Sequence, residues 1–383
     1  MIVGGGPAAQ AAAGAYREVG GAGGVTILAG EPDPPYERPP LTKDFLRGES
    51  GREALSMVEA DWYEERGIKI RTGTEASSLD LGAGEVRTVS GERIAFDRVL
   101  LATGADPVVP PIPGADVDAV QTVRRIGDAE AMRRIGHDDR ALVVGSGFIG
   151  CEAAASLAMR GADVKMATLE ELPQSGRLGR EVAGRIAGWL GDLGVEILAG
   201  AELCEISNAG DRAARARLSG GEEVVADRVV LALGVGRNDD LAEAVGLTVD
   251  DGIEVDASMR TADPRVLAAG DVAFAFNPSA GRRLRVEHWG EALNMGLVAG
   301  LTMAGAKADW AAAPGFWSTI GEQTIKYVGW GEGFDDLRFE PGEDGAFACW
   351  YGREGEIVGV AAHDDDASYE KGRELIESRA RWS

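Results

Sequence analysis

ALVVGSGFIGCEAAASLAMR, residues 141–160, runs from an apolar start into Gly145-x-Gly147-x-x-Gly150 and then into an alanine-rich stretch. A buried strand, a glycine turn and a helix in that order open the βαβ unit that binds a dinucleotide. The first glycine permits the tight turn. The second lets a pyrophosphate approach the backbone, and the third lets helix and strand pack closely. The free N–H groups at the helix start then face the phosphates. One such turn is common in α/β proteins, so the rest of the chain has to decide. MIVGGGPAA, residues 1–9, repeats the plan as Gly4-x-Gly6-x-x-Ala9 ahead of a second alanine-rich stretch. FDRVLLATG (96–104) and ADRVVLALG (226–234) share the frame D-R-V-x-L-A-x-G, and a third apolar segment, RVLAAGD (265–271), ends in Asp271. These echoes predict a duplicated nucleotide-binding plan with buried parallel strands. The first copy leaves about three residues for its opening strand, where five or six are usual. That strand is short, or residues precede it.

Length and composition set bounds. At 383 residues the chain is too long for one core and predicts two or three domains. Apolar content of 45% and charged content of 27% are those of an ordinary globular protein. The balance of 63 acidic to 39 basic residues, a formal net charge of -24, argues against a nucleic-acid-binding or anionic-membrane surface. Cys151, Cys204 and Cys349 lie far apart with no metal-ligand spacing, so no metal site and a reducing cytoplasm are expected. No apolar run is long enough for a transmembrane helix, and no signal peptide precedes the first turn.

VTILAGE, residues 25–31, follows the first helix, and Glu31 stands 22 residues after Ala9, close to the spacing for an acid on an adenosine ribose. The alternative is a solvated loop carboxylate. PPYERPPLTK, residues 34–43, comes next. Its prolines lock φ and restrict their neighbours. Arg38 and Lys43 are therefore held nearly fixed beside the first nucleotide, in a strongly acidic chain.

Seven marks in order then carry a resemblance: the N-terminal GxGxxA, PYERPPLTK, LLATG (100–104), GSGFIGCE (145–152), AAGD (268–271), RVEHW (285–289) and PGFWS (314–318). Over nearly its whole length the chain resembles the FAD-dependent ferredoxin reductases of the pyridine nucleotide–disulfide oxidoreductase superfamily. These serve P450 and ring-hydroxylating dioxygenase systems and are similar to apoptosis-inducing factor. The resemblance implies an α/β protein with two Rossmann-like dinucleotide-binding domains and an α+β C-terminal domain. Residues 1–112 and 244–312 would bind FAD, 113–243 would bind NAD(P), and 313–383 would form the C-terminal domain.

The resemblance also implies the chemistry. A hydride passes from NADH to flavin N5, and single electrons then go to an iron–sulfur ferredoxin of 2Fe-2S or similar type. Lys43, Glu152 and Trp317 are the implied catalytic residues, with Glu152 as the partner of Lys43; the plainer reading of Glu152 is an acid serving a helix dipole. The implied cofactor-binding residues are Gly4, Gly6, Pro7, Ala8, Ala9, Glu31, Arg38, Lys43, Ala76, Thr103, Gly104, Gly145, Gly147, Phe148, Ile149, Gly150, Glu152, Thr168, Gly234, Gly270, Asp271, Glu287, His288 and Trp289, with the Lys43–Glu152 pair beside the flavin. Asp271 would accept from ribityl hydroxyls, or else cap a helix that follows it.

Relatives with a redox disulfide carry CxxxxC after the first nucleotide unit. LTKDFLRGES (41–50) has no cysteine, and Cys151 reads as a packing residue of the second turn. No thiol relay is expected. In GADVKMATLEELPQ (161–174) the nucleotide-specificity place falls on Thr168, with Glu170 and Glu171 just beyond; Arg177 and Arg180 lie well downstream. NADH is favoured, with NADPH as the alternative. Arg282, Arg283 and Arg285 could form a docking patch for an acidic ferredoxin or an ordinary solvated turn. The competing functions are a dehydrogenase or oxidase with a quinone, dye or oxygen acceptor, and a redox-sensing flavoprotein. Monomer and homodimer are both compatible with the sequence.

Overall fold

Two strands too apolar for any surface set the architecture. In a computed structural model that describes residues 1–210, 213–331 and 333–382, Ile2–Val3 and Arg140–Val144 are the central strands of two five-stranded parallel sheets that share the order of four strands and differ in the fifth, an edge strand that comes last in the chain in the first sheet and first in the second. In the first, Ile2–Val3 lies between Val25–Leu28 and Val99–Leu101, with Ile68–Arg71 and Val266–Ala268 at the edges. In the second, Arg140–Val144 lies between Asp163–Thr168 and Arg228–Leu231, with Glu196–Ala199 and Val120–Thr122 at the edges. The registers correspond. Val3 is opposite Leu28 and Leu101, and Val144 is opposite Ala167 and Leu231. The two D-R-V-x-L segments thus take equivalent places beside the two central strands.

Both sheets bury their inner strands on both faces, as parallel sheets covered by helices require. Val99, Leu100 and Leu101 have no exposure at all. The RVLAAGD segment pairs with the first echo strand, Leu267 opposite Leu100. A strand, Ala273–Asn277, follows Asp271 rather than a helix, so the capping alternative for that carboxylate has nothing to cap. The opening strand spans Ile2–Val3 and ends where Gly4 turns the chain at φ +122°.

Contacts divide the chain into two compact units. One comprises Met1–Glu37, Leu55–Asp106 and Arg237–Phe316; the other comprises Arg38–Ala54, Pro107–Gly236 and Trp317–Ser383. The first contains the N-terminal glycine turn and its sheet. The second contains the other turn, the end of the proline-rich loop, and an antiparallel sheet whose strand order is Gly315–Ile320, Gln323–Gly329, Glu356–His363, Phe347–Arg353, Asp336–Pro341. One hydrophobic core in the second unit joins this sheet to the nucleotide half. Ile320, Ile325, Phe347 and Tyr351 pack in the same cluster as Val143, Cys151, Leu157 and Ile186. The architecture is mixed α/β with two Rossmann-like sheets and a C-terminal antiparallel sheet. Among the described residues no helix is long and apolar enough to cross a membrane.

Candidate active site

Each glycine turn is built the same way. A Cβ on Gly4 would stand 2.0 Å from the Ala102 carbonyl oxygen, and one on Gly145 would stand 2.3 Å from that of Ala232. Both residues have positive φ, +122° and +103°. The first glycine is therefore obligatory in each turn. The second glycine differs. Beside Gly6 there is no atom within 4 Å of a Cβ position, and beside Gly147 only Gln174 Nε2 at 4.0 Å. Packing does not require glycine there, whereas close approach of a phosphate to the backbone does. Gly6 and Gly147 are also the N-caps of the helices Pro7–Glu18 and Phe148–Met159, neither with a side-chain cap. Each helix start thus keeps N–H groups for an anion. Pro7 occupies the first helical position, where its missing N–H costs nothing. Ala8 and Ala9 are buried behind it. The residues fit one dinucleotide in each unit.

In the first unit the carboxyl ends of the parallel strands gather the remaining candidates. Glu31 accepts a hydrogen bond from Tyr36 Oη at 2.6 Å, so its carboxylate has a fixed direction. The backbone N–H of Gly73 donates to the Glu31 carbonyl at 2.8 Å, which brings Ala76, the start of the strand Ala76–Asp80, alongside. Thr103 Oγ1 donates to the Asn238 carbonyl at 2.6 Å, and Asn238 Nδ2 donates back to the Thr103 carbonyl at 3.1 Å. Gly104 and Gly270 turn their strand ends at φ +68° and +79°, and Asp271 is buried. His288 is the N-cap of the helix Trp289–Met303, and its ring lies 4.5 Å from that of Phe316. Glu287 is bound by the Arg285 guanidinium.

Two groups that carry these positions escaped the sequence reading. Asn238 lies outside any motif, and Tyr36, although inside the proline-rich loop, is singled out only by its tertiary contact. Glu291 is the third such residue: a buried carboxylate that accepts from Trp310 Nε1 at 2.8 Å and from the Gly315 N–H at 3.3 Å. Its signal in the sequence was an acid in the first turn of a strongly apolar helix, a place where the dipole favours negative charge.

The second unit holds an ion pair. Lys43 Nζ lies 2.6 Å from Glu152 Oε2, with the lysine side chain 11% exposed and the glutamate 3%. Lys43 also donates to the Pro39 carbonyl at 3.2 Å. Glu152 is the fifth residue of its helix, past the first turn, so its partners are side chains and not the helix end. Desolvating both charges is costly unless the geometry is good and other hydrogen bonds are added. Thr42 Oγ1 at 2.5 Å and Ser318 Oγ at 2.7 Å add them. The proline-rich loop proves to be a 3-10 turn, Pro39–Thr42, followed by a short helix, Asp44–Arg47. Arg38, in contrast, donates to the Arg124 carbonyl at 2.8 Å.

At the end of Asp163–Thr168, Thr168 turns inward to Ser146, Oγ1 to Oγ 2.6 Å. Glu170 folds back instead. Its carboxylate accepts from Ser146 Oγ at 3.3 Å and from the N–H groups of Gln174 and Gly176 at 2.8 and 2.7 Å. Glu171 is committed to Arg180, at 2.7 and 3.0 Å. Phe148 is half-buried and Ile149 exposed at the helix start, and Gly234 turns at φ +88°. Cys151 is fully buried, its Sγ 3.4 Å from the Ser146 carbonyl, and burial pushes its thiol well above the usual range. That is the signature of packing rather than nucleophilic chemistry. Trp317 is 45% exposed. Two of the three arginines at 282–285 are committed to carboxylates, Arg283 to Glu254 at 3.3 Å and Arg285 to Asp251 at 3.2 Å and to Glu287.

Comparison with known proteins agrees with this geometry. Residues 1–296 match the family described as pyridine nucleotide-disulphide oxidoreductase, and residues 315–383 match the one described as reductase C-terminal. The chain is 34% identical to the ferredoxin–NAD(+) reductase component of the anthranilate 1,2-dioxygenase system of Burkholderia cepacia, covering 99% of this chain and 94% of that protein. It is 31% identical to rhodocoxin reductase of Rhodococcus erythropolis, covering 88% and 79%. Among solved structures it is similar to putidaredoxin reductase in its covalent complex with putidaredoxin, with TM-score 0.93, 27% identity and coverage of 99% and 92%. It is equally similar to the ferredoxin reductase for the CYP199A2 system from Rhodopseudomonas palustris, with TM-score 0.94, 26% identity and coverage of 100% and 95%. With matched turns, matched sheets and a family description spanning most of its length, the chain belongs to the pyridine nucleotide-disulphide oxidoreductase family.

Proposed function

We propose that the protein is an FAD-dependent NADH:ferredoxin oxidoreductase that serves a P450 or a ring-hydroxylating oxygenase. The observation that carries this reading is the pair of glycine turns whose second glycine faces open space, in a chain without a redox cysteine pair. FAD, held by the first unit, would supply the chemistry that links two-electron hydride uptake from NADH to single-electron release to an iron–sulfur protein. The chain's own work is to bind, orient and charge-balance. The first unit holds FAD through Gly4, Gly6 and the helix start at Pro7, with Glu31 directed by Tyr36 toward the adenosine ribose. Asp271, Thr103 and the His288–Trp289 segment serve the rest of the cofactor. The second unit holds NADH through Gly145, Gly147 and Gly150. The Lys43–Glu152 pair supplies a placed cation whose charge is balanced, and Trp317 supplies an aromatic face. Domain limits of 1–112 with 244–312, 113–243 and 313–383 accompany this reading.

Dinucleotide choice follows from charge. The folded-back Glu170 sets a carboxylate beside the second turn, where a 2′-phosphate would be repelled, and the nearby Arg180 is already paired. The test is anaerobic mixing of the flavin-loaded protein with NADH or NADPH while flavin absorbance is followed. Fast bleaching with NADH and slow bleaching with NADPH is the expected result. Cytochrome c reduction that requires added ferredoxin then separates a reductase from an oxidase or a sensor. A long-lived flavin–NAD charge-transfer band with negligible turnover would overturn the reductase reading.

A further inference from the structure

The Glu152 carboxylate serves more than its lysine. Oε2 accepts from Lys43 Nζ at 2.6 Å and Thr42 Oγ1 at 2.5 Å, while Oε1 accepts from Ser318 Oγ at 2.7 Å. One oxygen thus faces the loop that carries Lys43, and the other faces the strand Gly315–Ile320. The loop side is braced again by Ser156 Oγ, which donates to the Thr42 carbonyl at 2.6 Å.

Ser318 breaks the pattern of its own strand. Along a strand successive side chains point to opposite faces. Ser318 is 1% exposed and Ile320, on the same face, is fully buried. An apolar side chain is the ordinary occupant of such a position, since an unpaired buried hydroxyl costs free energy. The serine is accommodated because it meets a charged acceptor, and hydrogen bonds to charged groups are shorter and stronger than neutral ones. Its neighbour Trp317 points the other way and is 45% exposed. The inward hydroxyl and the outward indole are therefore two faces of one short backbone segment, tied at a single carboxylate.

We propose that Ser318 is a positioning residue that, through Glu152, fixes the Trp317 indole in register with the Lys43–Glu152 pair. Any displacement of the carboxylate moves the strand start and the loop together. The inference rests on the oxidoreductase reading, in which Lys43, Glu152 and Trp317 act at the redox cofactors. Thr42 has a separate task, since it shares Oε2 with the lysine.

The experiment uses flavin-loaded full-length protein labelled with 5-fluorotryptophan, with the Trp317 fluorine resonance assigned by Trp317→Phe. Ser318→Ala is expected to shift and broaden that resonance and to slow flavin reduction by NADH about tenfold, the effect of losing one hydrogen bond to a charged group. The KM for NADH changes much less. Ser318→Thr restores both signals. Ser318→Cys keeps the volume without the strong donor and behaves as Ser318→Ala; it also serves if the alanine variant does not fold. A Trp317 resonance unmoved in the alanine and cysteine variants, or a cysteine variant equal to wild type, would overturn the proposal. A fluorine shift alongside a wild type that NADH does not reduce would support the tether and overturn the assigned reaction.

Discussion

Glu170 illustrates how far a single residue can depart from linear spacing. Counting along the strand puts the specificity place at Thr168, yet that hydroxyl turns inward to Ser146 and the acid two residues later returns to the turn. Glu170→Gln should raise the NADPH-to-NADH ratio of kcat/KM about tenfold, since a neutral amide lacks the repulsion that roughly 1.4 kcal/mol of charge interaction provides. It should also cost about 1 kcal/mol of stability, because the same carboxylate accepts N–H groups at the start of the Ser175–Asp192 helix. Steady-state kinetics with both nucleotides and a melting curve check the two effects. The cysteines give a second expectation at this scale. Cys151 and Cys349 are fully buried, and burial pushes the Cys349 thiol up to about 12, whereas Cys204 is half-exposed. A thiol reagent at neutral pH should therefore modify Cys204 alone in the native protein and all three after unfolding, as mass spectrometry would count.

The glycine turn is the element that does most to determine function, and its glycines have different tasks. A Cβ at Gly4 would collide with the Ala102 carbonyl, while one at Gly6 meets open space. Gly4→Ala should destabilise the apoprotein by more than about 2 kcal/mol, from strain and displaced backbone. Gly6→Ala should leave apoprotein stability within about 0.5 kcal/mol of wild type. Its flavin affinity should nevertheless fall steeply, because the added methyl occupies space the pyrophosphate needs. Urea unfolding of both variants without cofactor, followed by flavin titration, separates the two. Equal loss of stability in both would remove the argument for a phosphate at Gly6. The proline-rich loop is a second informative element. Its rigidity was legible, but its direction was not: Lys43 finds Glu152 because a 3-10 turn and the Ser156 hydroxyl set its approach.

At the scale of the whole molecule, charge is the property with consequences. The net charge is -24, and Arg283 and Arg285, from which a basic docking patch could have been built, are held by Glu254, Asp251 and Glu287. An acidic iron–sulfur acceptor therefore gains little long-range attraction from these two arginines. Screening strengthens as salt rises, with a Debye length of about 10 Å at 0.1 M. The kcat/KM for such an acceptor is expected to hold or rise between about 10 and 200 mM salt, as repulsion is screened. A tenfold fall over that range would reveal a basic docking face elsewhere on the surface. The repeated sheet order is the other whole-molecule feature. Two sheets that share the order of four strands place their glycine turns at corresponding strand ends, which is how one chain comes to hold two dinucleotides.

The sequence by itself determined both nucleotide turns, the echo strands that flank the central strands, and the absence of a cysteine pair. These are local matters: a backbone that must turn at positive φ selects glycine, and a strand buried on both faces selects valine and leucine, whatever lies far away in the chain. The Lys43–Glu152 pair was legible only through resemblance, since 109 residues separate its members. Tertiary structure alone decided that Tyr36 directs Glu31, that Asn238 locks Thr103, that Glu291 is buried beside Trp310, and that Ser318 reaches Glu152 across 166 residues. Each of these is a buried polar group finding its partner across segments remote in sequence, and the need to satisfy it arises only once folding has excluded water.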